Sequence, residues 1–435
     1  MRLQPDEIKN HISEVGKKEG FHLLKEWIGN SDNRALRERA LQILAHMDDG
    51  SNYDFFESLF LSDEDLKISI LSGRILGDNY ANSDDIISLL SYILHNIKPI
   101  QKKLLAIDIL KQFNTKQANS ILSKYFEKVI QTQIEANFLK THFVESRPFS
   151  KGQLANIIEI GINLLLFHSF REDYGYTLHL RNGVITSLTC EKTGLVEIGE
   201  IPGIQKLTRL KELNLKHNNI TKINNISFLD HLELLNLSFN SITQIKNLNS
   251  CKNLKELRLS HNKIEEINHL EGLINLKTLC LGYNKIKRIE NLDNLQNLEF
   301  LSLRNNTITA IEGVKSLSNL RYLDLSNNQI KELKGLHPLQ NLHSLHLTNN
   351  QIDSAEEIDS LLNLKELYLD NNQICELNPL NSIHHLSILS LINNKIVNLS
   401  NKTREFLKRI NFVYLNRNPL DSSSRKWYFK KISGI

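Results

Sequence analysis

Ser302, Asp324, His346 and Tyr368 stand 22 residues apart, and they are the one set of side chains here that could support nucleophilic chemistry. A serine activated by an imidazole needs the histidine between the serine and the carboxylate. If the spacing stacks these residues on neighbouring strands, about 4.8 Å apart, Asp324 falls between Ser302 and His346. That order is wrong for a relay, and an open face would not exclude water. A solvated Asp–His pair is expected instead. His217 and His261 are two such steps apart, on the order of 10 Å, too far to share a metal ion. Cys190, Cys251, Cys280 and Cys375 are scattered singly, with Cys280 expected as a surface thiol. There is no phosphate-binding glycine loop, C-x-x-C or H-E-x-x-H. No catalytic residue, metal or cofactor is expected.

The elements that would carry these residues come from a repeat. From Leu210 the sequence recurs every 22 residues: LKELNLKHNNI (210–220), LELLNLSFNSI (232–242), LKELRLSHNKI (254–264) and onward to LSILSLINNKI (386–396). Asn218, Asn240, Asn262, Asn284, Asn306, Asn328, Asn350, Asn372 and Asn394 keep the interval unbroken. A degenerate unit with Thr193 in the asparagine place precedes them, and one with Asn418 follows. In each L-x-L the leucines alternate with outward residues, the pattern of a strand with one buried face. The apolar spacing then becomes three, as in Ile264, Ile267, Leu270, Leu273 and Leu276, which suits a tight 3₁₀-like return. The asparagines are expected to point inward and bond the backbone of adjoining turns. A constant 22 is what stacked coils require, since one inserted residue would turn apolar side chains outward.

This pattern resembles the leucine-rich-repeat fold over residues 185–420. The returns IEEINHLEGLINLK and IKRIENLDNLQNLE resemble the SDS22-like class, named for a regulatory subunit of protein phosphatase 1. The ending FVYLNRNPLDSSSRKWYFKKI is similar to that class's cap. The resemblance implies a solenoid of about eleven short parallel strands and regulation of a phosphatase. Ahead of it, YGYTLHLRNGVITSLTC reads as a hairpin turning at Asn182-Gly183. NKTREFLKRI and SSSRKWYFKKI are expected to form capping helices, with Trp427, Tyr428 and Phe429 as apolar cover.

Residues 1–145 read as helical. RALRERALQILAHM (34–47), DLKISILSGRILGDN (65–79) and IQKKLLAIDILKQFN (100–114) align at Ala40, Ser72 and Ala106, and this resembles HEAT-type repeats. The expected organisation is therefore an all-α HEAT-like domain (1–145), a helical junction (146–175) with a helix over Leu154–Phe170, an α/β leucine-rich-repeat solenoid with its hairpin (176–420), and a helical cap (401–435).

Charge narrows the function. Residues 1–150 hold 19 basic and 21 acidic side chains, residues 151–400 hold 25 and 26, and residues 401–435 hold 9 and 2. The excess is confined to the last segment, unlike the basic stripe of a nucleic-acid binder, so no nucleic-acid partner is expected. The N-terminus lacks a secretory apolar segment, and Ala155–Phe170 is too short to span a bilayer. With no paired cysteine spacing, a reducing, cytoplasmic setting is expected. The concave face offers Phe239, Tyr283, Phe300, Tyr322, Tyr368, Ile388, Ile392, Phe412 and Tyr414, with Glu212, Asn236, Arg258, Arg304, Asp324, His346, Glu366 and Asp370 among them. Aromatics mixed with both charges are the composition of a protein interface. The sequence thus points to a monomeric scaffold or regulatory subunit gripping a protein, a phosphatase catalytic subunit or a small GTPase being the candidates. Two alternatives stand beside it: the substrate-recruiting part of an enzyme or effector, and a membrane-surface adaptor using the basic end. No cysteine occurs before Cys190, which removes a thioester route for the helical region.

Overall fold

The computed structural model describes residues 3–81, 83–133, 151–377, 380 and 383–433. Its contacts divide the chain into two units, Met1–Ser169 with Asn182–Val184, and Phe170–Arg181 with Ile185–Ile435. Positions 134–150, where the expected end of the helical domain and start of the junction fall, lie outside the described residues.

The first unit contains α1 (Pro5–Asn10), α2 (Ile12–Val15), α3 (Lys17–Asn30), α4 (Arg34–Met47), α5 (Tyr53–Ser62), α6 (Leu66–Asn79), α7 (Asp84–Asn96), α8 (Ile100–Phe113) and α9 (Lys116–Gln133), and most of α10 (Lys151–Glu172). Helix starts follow from capping: Asn33, Asp65 and Ser83 accept backbone N–H groups at the heads of α4, α6 and α7. The helices pack as pairs, α3 with α4, α5 with α6 and α7 with α8, while α4, α6 and α8 contact one another in series. The three aligned segments of the sequence are these serial helices, and Ala40, Ser72 and Ala106 are fully buried on them. A Cβ on Gly73 would lie 2.6 Å from the Phe60 ring, so α5 and α6 approach closely where the side chain is absent.

The second unit holds the hairpin strand β1 (Thr177–Arg181) and, from Ile185 on, its partner β2 (Val184–Thr189). Both turn residues, Asn182 (φ 51°) and Gly183 (φ 74°), are left-handed, as a two-residue hairpin turn requires. Ten three-residue strands follow: β3 (Glu212–Asn214), β4 (Leu234–Asn236), β5 (Glu256–Arg258), β6 (Thr278–Cys280), β7 (Phe300–Ser302), β8 (Tyr322–Asp324), β9 (Ser344–His346), β10 (Glu366–Tyr368), β11 (Ile388–Ser390) and β12 (Phe412–Tyr414). The sheet order is the chain order, and β2 to β12 run parallel. From β3 to β11 each residue pairs with the one 22 positions on, so the sequence interval is the sheet register. The architecture is the α/β solenoid preceded by helices that the sequence implies.

The two leucines of each L-x-L are fully buried, Leu257 and Leu259 for example. In the returns, Leu273 N–H donates to Leu270 O (2.9 Å) and Leu276 N–H to Leu273 O (3.0 Å), the three-residue step of a 3₁₀ turn. The asparagines tie coil to coil. Asn306 Nδ2 donates to Leu281 O of the preceding turn (3.1 Å) and to Leu303 O of its own (2.9 Å), while Oδ1 accepts Ile286 N–H (2.9 Å). Asn240, Asn262, Asn284, Asn328, Asn350, Asn372 and Asn394 repeat this triplet. Asn418 closes the series on Leu391 O and Ile396 N–H, and at the other end Asn218 accepts Thr193 Oγ1–H (3.0 Å).

A second asparagine series runs along the returns. Asn253, Asn275, Asn297, Asn319, Asn341 and Asn363 each donate to the carbonyl 23 residues back, at 2.8–2.9 Å.

At the end of the sheet lie α11 (Asn401–Lys408) and α12 (Ser422–Ser433). Tyr428 is buried, accepting Leu415 N–H (3.0 Å) and contacting Asn416 Oδ1 (2.9 Å). Phe429, expected as cover, is instead 58% exposed: it is adjacent to Tyr428 on the helix, and residues one apart face different directions. Among the described residues no helix is long and apolar enough to cross a membrane.

Candidate interaction face

Two columns of rings run across the turns of the solenoid. The first lies just beyond the strands, at the residue before each inward asparagine. Phe239 and Tyr283, expected on the concave face beside the strand residues, both lie past β4 and β6 with left-handed backbones (φ 57° and 56°), because the chain must swing to aim the next asparagine inward. His217, Phe239, His261 and Tyr283 stack here with centroids 4.2, 4.0 and 4.0 Å apart. Lys216 Nζ lies 5.3 Å from the Phe239 centroid, and the Arg304 guanidinium 4.9 Å from that of Tyr283. His217 and His261, considered above only as metal ligands, have Phe239 inserted between them. Burial holds His261 below its ordinary pKa, with the positive groups Arg304, His217 and Lys216 acting the same way.

The second column is on the strands. Phe300 lies on Tyr322, centroids 4.3 Å apart and planes within 3°. Tyr322 reaches diagonally to His346 (5.0 Å), which stacks on Tyr368 (4.4 Å). These rings are half-buried, and burial pushes the Tyr322 hydroxyl up to about 12. Further along, Phe412 and Tyr414 on β12 are exposed, while Ile388 and Ile392 are half-buried.

Ser302, Asp324, His346 and Tyr368 do occupy one register position on β7 to β10. The Asp–His pair is not solvated as expected. Asp324 is only 6% exposed, and its Oδ1 accepts Ser326 N–H (3.0 Å), a short carboxylate folding back on its own strand. His346 Nε2 faces Ser344 Oγ (3.0 Å), which donates to Glu366 Oε2 (2.9 Å). The carboxylate therefore holds the serine rather than the far nitrogen of the imidazole, so this cluster is not built as a relay. Ser344, not among the expected site residues, is the hinge of that network. Its signal was its place on the strand opposite Tyr322.

Other corrections concern charge and thiols. Cys280 is half-buried beside Arg258, and burial pushes its thiol up to about 11, so it is no reactive surface thiol. Arg258 is paired with Glu256 on its own strand. Asp370 Oδ1 accepts Ile392 N–H (2.7 Å) and Ser390 Oγ–H (2.5 Å), so this carboxylate joins β10 to the following turn. In the basic end, Lys431 Nζ donates to Lys408 O and Ile410 O, and Arg425 to Leu420 O. These cations hold the cap together.

Comparison with known proteins agrees with this geometry. Models described as leucine-rich repeats match residues 206–222, 230–272, 274–316, 296–337, 318–360 and 340–382. An internalin (inlF) of Listeria monocytogenes is 26% identical with a TM-score of 0.50, the match covering 61% of this chain and 85% of that one. A leucine-rich-repeat protein of Leptospira interrogans is 27% identical (TM-score 0.44, covering 53% and 72%), and internalin C2 of L. monocytogenes is 33% identical (TM-score 0.36, covering 47% and 79%). A search of curated proteins returns no match. The chain is a leucine-rich-repeat protein, its matched repeats lying between residues 206 and 382.

Proposed function

We propose that this chain is a non-enzymatic scaffold or regulatory subunit that holds a protein partner on the concave side of its solenoid. A leucine-rich-repeat domain is a protein–protein interaction module, and the observation that carries the finer reading is the Phe300–Tyr322–His346–Tyr368 column. Half-buried, mutually stacked rings lose little side-chain entropy on docking and supply apolar area beside hydrogen-bonding tips, the character of interface anchors. A sheet of eleven parallel strands is roughly 50 Å long, a span suited to a domain-sized protein. The SDS22-like returns make a phosphatase catalytic subunit or a small GTPase the candidate partner. The stacked pairs α3/α4, α5/α6 and α7/α8 support reading residues 1–145 as a HEAT-like second platform, joined through 146–175 to the solenoid (176–420) and its cap (401–435). In this reading the protein works as a cytoplasmic monomer, in keeping with its four free cysteines.

The test is affinity purification of the tagged chain from its source organism, with mass spectrometry, beside a Phe300→Ala/Tyr322→Asp variant. The variant loses the principal partner while its circular dichroism spectrum stays that of the parent. Undiminished capture would remove the strand column from the interface.

A further inference from the structure

The residue before each inward asparagine is left-handed in every regular turn, and from Asn305 to Asn393 it is asparagine, the side chain that best tolerates this backbone. In the four turns before them it is His217, Phe239, His261 and Tyr283, with φ between 56° and 58°. A bulky residue here carries about 1–2 kcal/mol of strain, and the stacking of neighbours offsets part of it. Phe239 and Tyr283 hold that strain between histidines, which adopt this backbone more readily, and no ring takes the position in the asparagine turns that follow; strained rings confined to one stretch mark a surface with a use. The ring faces are already occupied, by one another and by Lys216 and Arg304. What remains toward solvent is ring edges, which are the positive part of an aromatic quadrupole, together with imidazole nitrogens and two cations. The five windows LKHNN, LSFNS, LSHNK, LGYNK and LRNNT contain Lys216, Lys263, Lys285, Arg304 and two histidines and no acid.

We propose that the ridge from His217 to Arg304 docks an extended acidic segment of a protein partner, carboxylates lying against ring edges and the flanking cations. The inference rests on the reading that the solenoid binds protein, and adds what part of that protein meets these turns. The ridge is about 17 Å long in steps of 4.0–4.9 Å, room for about five extended residues.

The experiment uses the full chain and fluorescein-labelled hexaglutamate, with labelled hexaglutamine and a labelled single-stranded oligonucleotide as controls, followed by anisotropy. Hexaglutamate is expected to bind about tenfold more tightly than hexaglutamine, and to weaken as salt rises from about 20 to about 200 mM. Lys216→Gln/Arg304→Gln and Phe239→Asn/Tyr283→Asn should each weaken it about fivefold or more; asparagine is already tolerated at this position downstream, so the fold is kept. Lys402→Gln/Lys426→Gln removes equal charge at the cap and should change nothing. Equal binding of the two peptides, equal loss in the cap variant, or tighter binding of the oligonucleotide overturns the proposal. Loss of the native partner in the Phe300/Tyr322 variant with no preference for hexaglutamate would sink the ridge alone. Retained capture by that variant would sink the strand column, with the peptide result unaffected.

Discussion

The turns carrying Asn218 to Asn284 and those carrying Asn306 to Asn394 are built on the same interior and differ in what they show the solvent. Both stretches bury the same leucines and repeat the same asparagine triplet. In the first, the left-handed position holds a stack of rings flanked by cations. In the second it holds asparagines that bond to one another, Asn349 to Asn327 (2.6 Å) and Asn393 to Asn371 (2.8 Å). The rings of the second stretch move to the strands, where Asp324, Glu366 and Asp370 accompany them. Interior periodicity thus leaves the surface free to vary turn by turn, and a backbone position that is conformationally expensive for a ring can be filled by one where a neighbour is there to stack on.

The largest effect should be the same in both stretches. Asn240 and Asn328 each bond two carbonyls that the asparagine of a neighbouring turn also bonds, and each accepts one buried N–H, of Ile220 or Ile308, that would otherwise lie unpaired between coils. Asn240→Ala and Asn328→Ala should each lower stability by about 2–4 kcal/mol in urea unfolding. A much smaller loss at Asn240 would mean that the ring stack, not the ladder, holds the early turns together, and the two stretches would then differ inside as well as outside.

Next in size is an exchange of surface residues. Phe239→Asn gives up stacking on His217 and His261 but relieves a strained backbone, so the net change should stay within about 1 kcal/mol. Asn349→Phe introduces the strain and removes the bond to Asn327 with no ring on either side to stack on. It should cost about 1–2 kcal/mol. Thermal melts of the two variants decide the matter. Equal losses would show that the neighbours do not set the tolerance of this position.

Much of the interior was legible in the sequence because periodicity writes it many times: the 22-residue interval became the register, and the apolar triplets became 3₁₀ returns. The left-handed column was not, since L-x-L-x-x-N reads as continuing alternation until the turn's φ is known. Its signal was the doubled asparagine at 305–306, 327–328, 349–350, 371–372 and 393–394, asparagine being the residue most at home there. The return asparagines from Asn253 to Asn363 were equally periodic and were hidden by being next to the leucines. Asp324 could not be placed by pattern at all: whether a carboxylate faces water or its own strand is a matter of one rotamer. Among the helices, α4, α6 and α8 were legible because each buries a small residue at one contact; their partners α3, α5 and α7 share no such mark.

The smallest effect separates the two stretches by electrostatics. His346 and His261 are both held below the ordinary 6.5, in each case first by burial. The folded protein therefore keeps them neutral at a pH where the unfolded chain would protonate them. Their contribution to stability is fully present above about pH 6.5 and is lost as pH falls below it. Beyond burial the causes diverge: Asp324 and Glu366 pull His346 back toward protonation, whereas Arg304, His217 and Lys216 oppose it at His261. His346→Phe keeps a ring for Tyr368 and removes the titration, so its melting temperature should fall less steeply between about pH 7 and 5. His261→Asn should flatten the same profile. Raised salt screens the positive neighbours, so it should reduce the contribution of His261. For His346 salt instead weakens the two carboxylates, leaving burial less opposed, and its contribution should hold or grow. A common response of both histidines to salt would erase the electrostatic distinction between the ridge and the strand column.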